Sequence, residues 1–386
     1  MDLAFTEDEL AFRSEIRTWL QNNKPESPLK SMDTPDGFEE HREWEKVLFD
    51  AGWSVPHWPA KYGGRDCTLN EWLIYEEEYY ASGVPGRVSS NGISLLAPTI
   101  FEFGTEEQKD FFLPRMASGE HIWGQGWSEP DAGSDLAAIK TKAVRDGDEF
   151  VLNGQKTWCS RGAFADWIFC IVRTDPDSER HAGLSYLLVP ADTDGLEARP
   201  IGRLDGEPGF AELFFTDARV NARHLLGGEG EGWAVAMATA GSERGLNLRA
   251  PGRFVAVADR LRELVAGPEV QPRADLRGDV IDSWIRAQAY RWLTFETATR
   301  LNDGAAIGSE ASYMKVFWSE LDVHMYATAL RLAGAQGELI ADASDVLDDG
   351  SWMDGYVFSL SGKIYAGTNE IQRNIIAERV LGLPRR

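Results

Sequence analysis

The chain has 386 residues, enough for two or three domains around a sizeable core. Charged residues make up 26% and hydrophobic ones 43%, the balance of an ordinary water-soluble protein. A formal charge of −23 sets the chain against nucleic acid or an anionic membrane as a general partner. A small anionic ligand stays open, because a local site can oppose the global charge. The three cysteines, Cys67, Cys159 and Cys170, form no CxxC pair and no metal-ligand spacing, so reduced thiols and no metal are expected. The opening MDLAFTEDEL is acidic and lacks an apolar run, so no signal peptide is expected. No stretch of about 18 apolar residues suggests a membrane span, and a cytoplasmic protein is expected.

Residues 1–120 read as helices. Thr6, followed by Glu9, predicts a capping box, and Phe12, Ile16, Trp19 and Leu20 follow at helical spacing. Phe38 to Ala51 and Leu69 to Ala81 behave alike, with acidic faces that read as solvated. Between them WSVPHWPAKYGGRD is a loop of Pro and Gly, and Thr105 is a predicted N-cap. From His121 to about Gly228 the pattern changes to β-branched and aromatic runs, among them EFVLNGQKTWCS, WIFCIVRT, GLSYLLVP and AELFFTDARV. Asn153-Gly154 predicts a hairpin, and the region reads as an antiparallel β domain. Helical spacing then returns over Trp233 to Val265, Asp279 to Leu301, Ala311 to Ala333 and Leu360 to Val380. VAGPEVQPRADLRGD is expected to be an interhelical loop. The expected organisation is therefore α+β: a helical domain at 1–120, a β domain at 121–231 and a helical domain at 232–386.

Three stretches carry more than periodicity. They are GQGWSEPDAGSDLAAIKTKAVRDGDEFVLNGQKTWCS, the DARV at 217–220, and GTNEIQRNIIAERVLGLP at the end. Together they resemble the acyl-CoA dehydrogenase family, and the resemblance spans essentially the whole chain. It implies an FAD enzyme that places a double bond between Cα and Cβ of an acyl-CoA thioester. In that chemistry a carboxylate removes the α-proton while a hydride passes from Cβ to flavin N5. Aligned donors must polarise the thioester oxygen, because the α-proton is weakly acidic. The resemblance lays Gln125 to Ser128 along the flavin ring, with Trp127 and Ser128 at its polar edge. It puts Trp158 and Ser160 over the ring and Ser134 against the CoA arm. Gly367, Thr368, Asn369 and Glu370 match the turn over the flavin and its phosphates, with Gly367 also a substrate contact. Each residue alone would more often be ordinary packing; the joint spacing is what carries the assignment.

One residue departs from the signature. Most family members carry the base in Tyr-Glu-Gly-Thr, and here the tetrapeptide is Tyr365-Ala366-Gly367-Thr368. A methyl group cannot accept a proton. Either the chain has lost this chemistry, or another carboxylate reaches the same space. Isovaleryl-CoA and long-chain acyl-CoA dehydrogenases carry a Glu followed by Arg on the first long helix after the β domain. Glu243-Arg244 falls at the matching position, about ten residues past Gly232-Trp233. The resemblance thus implies Glu243 as base and Arg244 as a neighbouring positioning residue. Taken alone, Glu243 would be an exposed carboxylate on a helix.

Two further family elements, which reach the FAD of a neighbouring subunit, are weak. Arg-x-x-Phe-Gly has no counterpart among Val270 to Gly278, and Gln-x-x-Gly-Gly-x-Gly is reduced to Arg331-Leu332-Ala333-Gly334-Ala335-Gln336-Gly337. This pattern resembles subunits of heterotetrameric dehydrogenases of bacterial sterol side-chain degradation. A homo- or hetero-tetramer is implied, with electron-transferring flavoprotein as electron acceptor, and Arg331 is a candidate direct pyrophosphate ligand. A base on the helix accompanies branched, long or bulky acyl groups in the family. Two rival readings stay open: a partner subunit with a vestigial site, and a flavoenzyme acting on nitroalkanes or carrier-protein thioesters.

Overall fold

Threonine sets where the first helices begin. In the computed structural model, Thr6, Thr68 and Thr105 each accept from the N–H three residues on and donate their own N–H to Glu9, Glu71 or Gln108. These reciprocal bonds satisfy orphan donors of the first turn. They open α1 (Glu7–Asn23), α3 (Leu69–Ala81) and α5 (Glu106–Ala117). Thr34, with Pro35 at the first helical position, opens α2 (Pro35–Asp50). A π-helical turn at Asn91–Leu96 leads into α4 (Ala97–Phe103). The structure describes residues 4–244, 250–271, 273–305, 308, 311–341 and 343–384, with backbone alone for 242–244.

After the β region come α6 (Gly232–Arg244), α7 (Gly252–Ala266), α8 (Arg277–Asn302), α9 (Ala311–Ala333), α10 (Ser351–Ser361) and α11 (Asn369–Ile375). The run expected as one helix over Trp233 to Val265 is therefore two, and Pro251 caps the second. Leu360 to Val380 is likewise broken, by the turn from Gly362 to Thr368. Contacts divide the chain into two units, each built from separated stretches: Met1–Lys24, Thr68–Val84 and Arg244–Arg386, and Pro25–Cys67 with Pro85–Glu243.

The first unit is helical. Phe254, Leu261, Tyr290, Met314, Trp318, Leu321, Met325 and Trp352 form its core. Charged side chains in it are paired: Arg253 with the buried Asp322, and Arg13 and Arg291 both with Glu77. Uncompensated, such buried charges would cost far more than their pairing returns.

The second unit holds an eight-stranded sheet. Its strands are β1 (Trp123–Gly126), β2 (Lys142–Asp146), β3 (Glu149–Ser160), β4 (Trp167–Arg173), β5 (Leu184–Pro190), β6 (Leu196–Ile201), β7 (Phe210–Asn221) and β8 (Leu225–Leu226). The order is β6-β7-β3-β2-β4-β5-β8, and β1 pairs with β4. Pairing is antiparallel except that β1 and β2 each meet β4 in parallel. Phe150, Leu152, Cys159, Ile168, Cys170, Leu187 and Leu213 fill one face. None of the three cysteines is in a disulfide, and burial pushes the Cys170 thiol up to about 12.

The Asn153-Gly154 hairpin expected from sequence is not there. Both residues lie inside β3, where the register against β7 shifts between Leu152 and Gly154. Asn153 instead bonds Asp217 on β7, giving its Nδ2–H to Oδ1 and accepting the Asp217 N–H, both at 3.0 Å. A Cβ at Gly154 would lie 2.7 Å from Thr141 Cα, so close approach explains this glycine. The hairpin turns earlier, at Gly147-Asp148 between β2 and β3, with Gly147 at φ 62°.

His224 ties this unit's stability to pH. It is 9% exposed, packs against Trp167 and Phe112, and its Nε2 accepts from Arg223 Nε at 3.3 Å. Burial and then the Arg223 charge lower its pKa from 6.5 to about 4. The folded state thus binds this proton less tightly than the unfolded chain does. The stabilisation is full above 6.5 and is lost as pH falls from there through about 4. His224→Phe should flatten that part of the acid limb by up to about 3 kcal/mol, read as urea midpoints between neutral and acid pH.

Candidate active site

The strand leading into the SEPD stretch is set by its glycines. In Trp123-Gly124-Gln125-Gly126, a Cβ at Gly124 would lie 2.8 Å from Ile168 Cδ1 and 2.9 Å from Cys159 Sγ. At Gly126 it would lie 2.7 Å from Cys170 Sγ and 2.9 Å from Ile168 Cγ2. β1 can lie this close to the core of the sheet only without those side chains. Trp127 follows, buried edge-on to Phe169 and Tyr186, then the half-buried Ser128.

Beyond Ser128 the chain is pinned by charge. Glu129 and Ala132 exchange backbone hydrogen bonds at 3.0 Å, closing the turn. The Glu129 carboxylate accepts from Lys140 N at 2.6 Å, Thr141 N at 2.9 Å and Lys156 Nζ at 2.9 Å. Lys156 Nζ also donates to the Trp127 carbonyl at 3.1 Å, and Thr157 N donates to the Ser128 carbonyl at 2.9 Å. Burial alone would raise the pKa of Glu129, but Lys156 and these N–H donors outweigh it and hold the carboxyl below its ordinary value. Sequence reading passed over both residues, although each stands inside a motif it quoted. The missed signal was a lysine at an inward register position of an apolar strand.

Trp158 sits at an irregularity of β3, where the register against β7 shifts between Lys156 and Cys159. Its φ of 59° turns it off the regular pleat. The indole is 59% exposed, with only the edge of Phe210 against it among ring contacts. Ser160, half-buried, closes the strand opposite Phe210. Gln125 is half-buried on β1, and Ser134 is exposed in the bend before Asp135, which pairs with Arg180. The structure thus brings Gln125, Trp127, Ser128, Trp158 and Ser160 into one unit, on β1, the segment that follows it and β3.

In the other unit, Ala366 and Gly367 both take left-handed backbone, φ 56° and 76°. The turn is held from below. Gln372 Nε2 donates to the Ala366 carbonyl at 3.0 Å, and Thr368 caps α11 by accepting from Ile371 N. Lys315 Nζ and Ser319 Oγ both donate to Asn369 Oδ1, at 2.7 and 3.1 Å. Asn369 is therefore buried and points into its own unit through Oδ1, while Glu370 is exposed. Lys315 and Ser319 support the turn from outside any sequence motif, and Gln372 from within the GTNEIQRN stretch.

Glu243 and Arg244 are the last two residues of α6. Their side chains lie outside the described residues. Arg331 is already engaged, with Nη1 2.7 Å from Asp279 Oδ2. Among the described residues, no group of His, Cys, Asp and Glu is arranged to hold a metal ion, and no helix is long and apolar enough to cross a membrane.

The flavin expected from the resemblance suits each set as it stands. An exposed flat indole offers a wall to an aromatic ring. Buried Trp127 Nε1 finds no acceptor among the described residues, and neither does Asn369 Nδ2. The turn at Ala366-Gly367-Thr368 offers backbone donors. The close crossing of β1 is directly testable. Gly126→Ala should cost about 1–3 kcal/mol, and adding Cys170→Ala should recover most of it, measured by denaturant midpoints.

Comparison with known proteins bears on the fold and the family. Three family models match in series: acyl-CoA dehydrogenase N-terminal domain over residues 6–120, middle domain over 124–218 and C-terminal domain over 230–381. The acyl-CoA dehydrogenase IpdE1 of Mycobacterium tuberculosis is 39% identical, over 98% of this chain and 99% of its own. A solved structure described as the Tcur3481-Tcur3483 steroid ACAD superposes with a TM-score of 0.90 at 28% identity, covering 100% of both chains. The ChsE4-ChsE5 complex from M. tuberculosis does so at 0.83 and 30%, again covering 100% of both. The helical, β and helical order, three family models in series and a full-length relative at 39% identity lead to one conclusion: the chain belongs to the acyl-CoA dehydrogenase family, as an FAD-dependent oxidoreductase.

Proposed function

We propose that this chain dehydrogenates a bulky or branched acyl-CoA between Cα and Cβ, with Glu243 removing the α-proton. The observation that carries the reading is the state of the C-terminal turn. Its left-handed geometry, Thr368 cap and buried Asn369 are all maintained, while its base position holds Ala366. A turn kept for ligand contact yet stripped of its carboxylate requires the base elsewhere. Glu243, at the end of α6 in the family's second base position, is the candidate.

FAD, when bound, accepts the hydride from Cβ. Gln125, Trp127 and Ser128 would lie along the flavin, and Trp158 and Ser160 would cover it. Thr368, Asn369 and Glu370 would serve the flavin and its phosphates. Ser134, Arg244 and Gly367 would contact the acyl-CoA. The Asn369 Oδ1 bonds to Lys315 and Ser319 leave its Nδ2 as the group for that task. Glu243→Gln should lower the rate of flavin bleaching by acyl-CoA roughly 10²–10⁴-fold while the bound flavin spectrum stays unchanged. An unchanged rate would remove Glu243 from the mechanism and favour a subunit that has lost this chemistry. A screen of acyl-CoAs of different shape, followed by the same bleaching, defines the substrate.

A hetero-oligomer is the second part of the proposal. Arg331 is committed to Asp279, which weakens it as a pyrophosphate ligand. Two structural neighbours carry paired names, and one of them, ChsE4-ChsE5, is described as a complex. We read this chain in the same way, as a subunit whose FAD site is completed by a second subunit type, with electron-transferring flavoprotein as acceptor in the cytoplasm. Purified alone, the chain should hold much less than one FAD per protomer and gain it on adding the co-encoded partner. Stoichiometric FAD in the lone chain would exclude an obligate partner.

A further inference from the structure

We infer that Lys156 and Glu129 form a buried clasp that positions the flavin seat, by fixing Trp127-Ser128 to the strand that carries Trp158. The inference rests on the reading above in one respect, that these two segments face the flavin.

Three consecutive residues of β3 do different work. The Lys156 side chain donates inward, to the Trp127 carbonyl and to Glu129 Oε1. The Thr157 N–H donates to the Ser128 carbonyl. Trp158 then leaves the pleat and stands exposed. The same three residues therefore hold one segment and present the other. Both carbonyls of Trp127-Ser128 are occupied by donors from β3. What remains for a ligand is the donor character of the segment, its N–H groups and the Ser128 hydroxyl. The polar edge of a flavin is rich in acceptors, so this polarity matters.

Glu129 completes the clasp. Its second oxygen accepts Lys140 N, and Oε1 also accepts Thr141 N. Four points of the chain meet on one ion pair: residue 127, residue 129, residues 140–141 and residue 156. Lys156 is fully buried and Glu129 is 8% exposed. Apolar residues of like volume would commonly give equal stability at such a place. Retaining a lysine in the sheet core makes sense where its direction matters, because an ammonium fixes specific oxygens and an alkyl chain fixes none.

The test uses the FAD-loaded holoenzyme and no substrate, so its outcome is independent of whether Glu243 is the base. Lys156→Met and Glu129→Gln are compared with Arg42→Met, which breaks the 2.9 Å Arg42–Asp166 pair elsewhere in the same unit. Thermal midpoint, FAD dissociation constant, visible circular dichroism of the bound flavin and its midpoint potential are measured. Both clasp variants should weaken FAD binding about 10–100-fold and alter the flavin dichroism and potential. Arg42→Met should lower the thermal midpoint alone. Clasp variants that lose thermal stability but keep wild-type FAD affinity, dichroism and potential overturn the proposal. If Lys156→Met does not fold, Glu129→Gln, which keeps the side-chain volume, decides by the same readouts.

Discussion

An ammonium group inside a sheet core can persist only if something there accepts its charge and its hydrogens. In this protein Glu129 accepts the charge, and the Trp127 carbonyl takes a further hydrogen bond. That requirement organises the β unit. The carboxylate must sit where the lysine points, so the SEPD turn is drawn over β3. The turn in turn draws Lys140 and Thr141 onto the same carboxylate. β1 must then approach the core closely, and only Gly124 and Gly126 permit that approach. The exposed Trp158 is one outcome of these inward constraints, since the strand leaves its register just where the inward bonds end.

The helical unit solves a related problem with different means. Its turn at Tyr365 to Thr368 contains two successive left-handed residues, and one of them is an alanine. A left-handed alanine costs about 1–2 kcal/mol against its relaxed backbone. Gln372, the Thr368 cap and the Lys315–Asn369 bond supply the compensating contacts. Stacking of Tyr365 on Trp318 anchors the preceding residue to the core. A glycine-rich turn would reverse the chain at less cost in backbone strain. With Ala366 in it, the turn carries no carboxylate at that position and is still held by these contacts.

Much of this was legible in sequence because its physical cause is local. Thr6 with Glu9 is a capping box whose partners lie three residues apart, so spacing alone identifies it, and Thr105 is the N-cap expected for α5. The joint occurrence of SEPD, NGQKTW and GTNE pointed to the family, since three such motifs at fitting intervals rarely coincide by chance. Local signals failed where a distant partner decided the outcome. Asn153-Gly154 reads as a turn until Asp217 supplies Asn153 with cross-strand bonds and Thr141 fills the space above Gly154. The helical period through Trp233 to Val265 does not reveal that a helix starts afresh after Pro251, because apolar spacing continues on both sides.

Sequence by itself determined the family, the α, β, α order, FAD as cofactor and the absence of a carboxylate at residue 366. Those depend on residue identity and on separations along the chain. Tertiary structure decided which residues hold the candidate site in shape. Lys156 and Glu129 are 27 positions apart, and Lys315 and Asn369 are 54 apart. No periodicity links such pairs. Each exists because folding brings a charge or an amide to the one place where water cannot satisfy it, and the partner has to come from elsewhere in the chain.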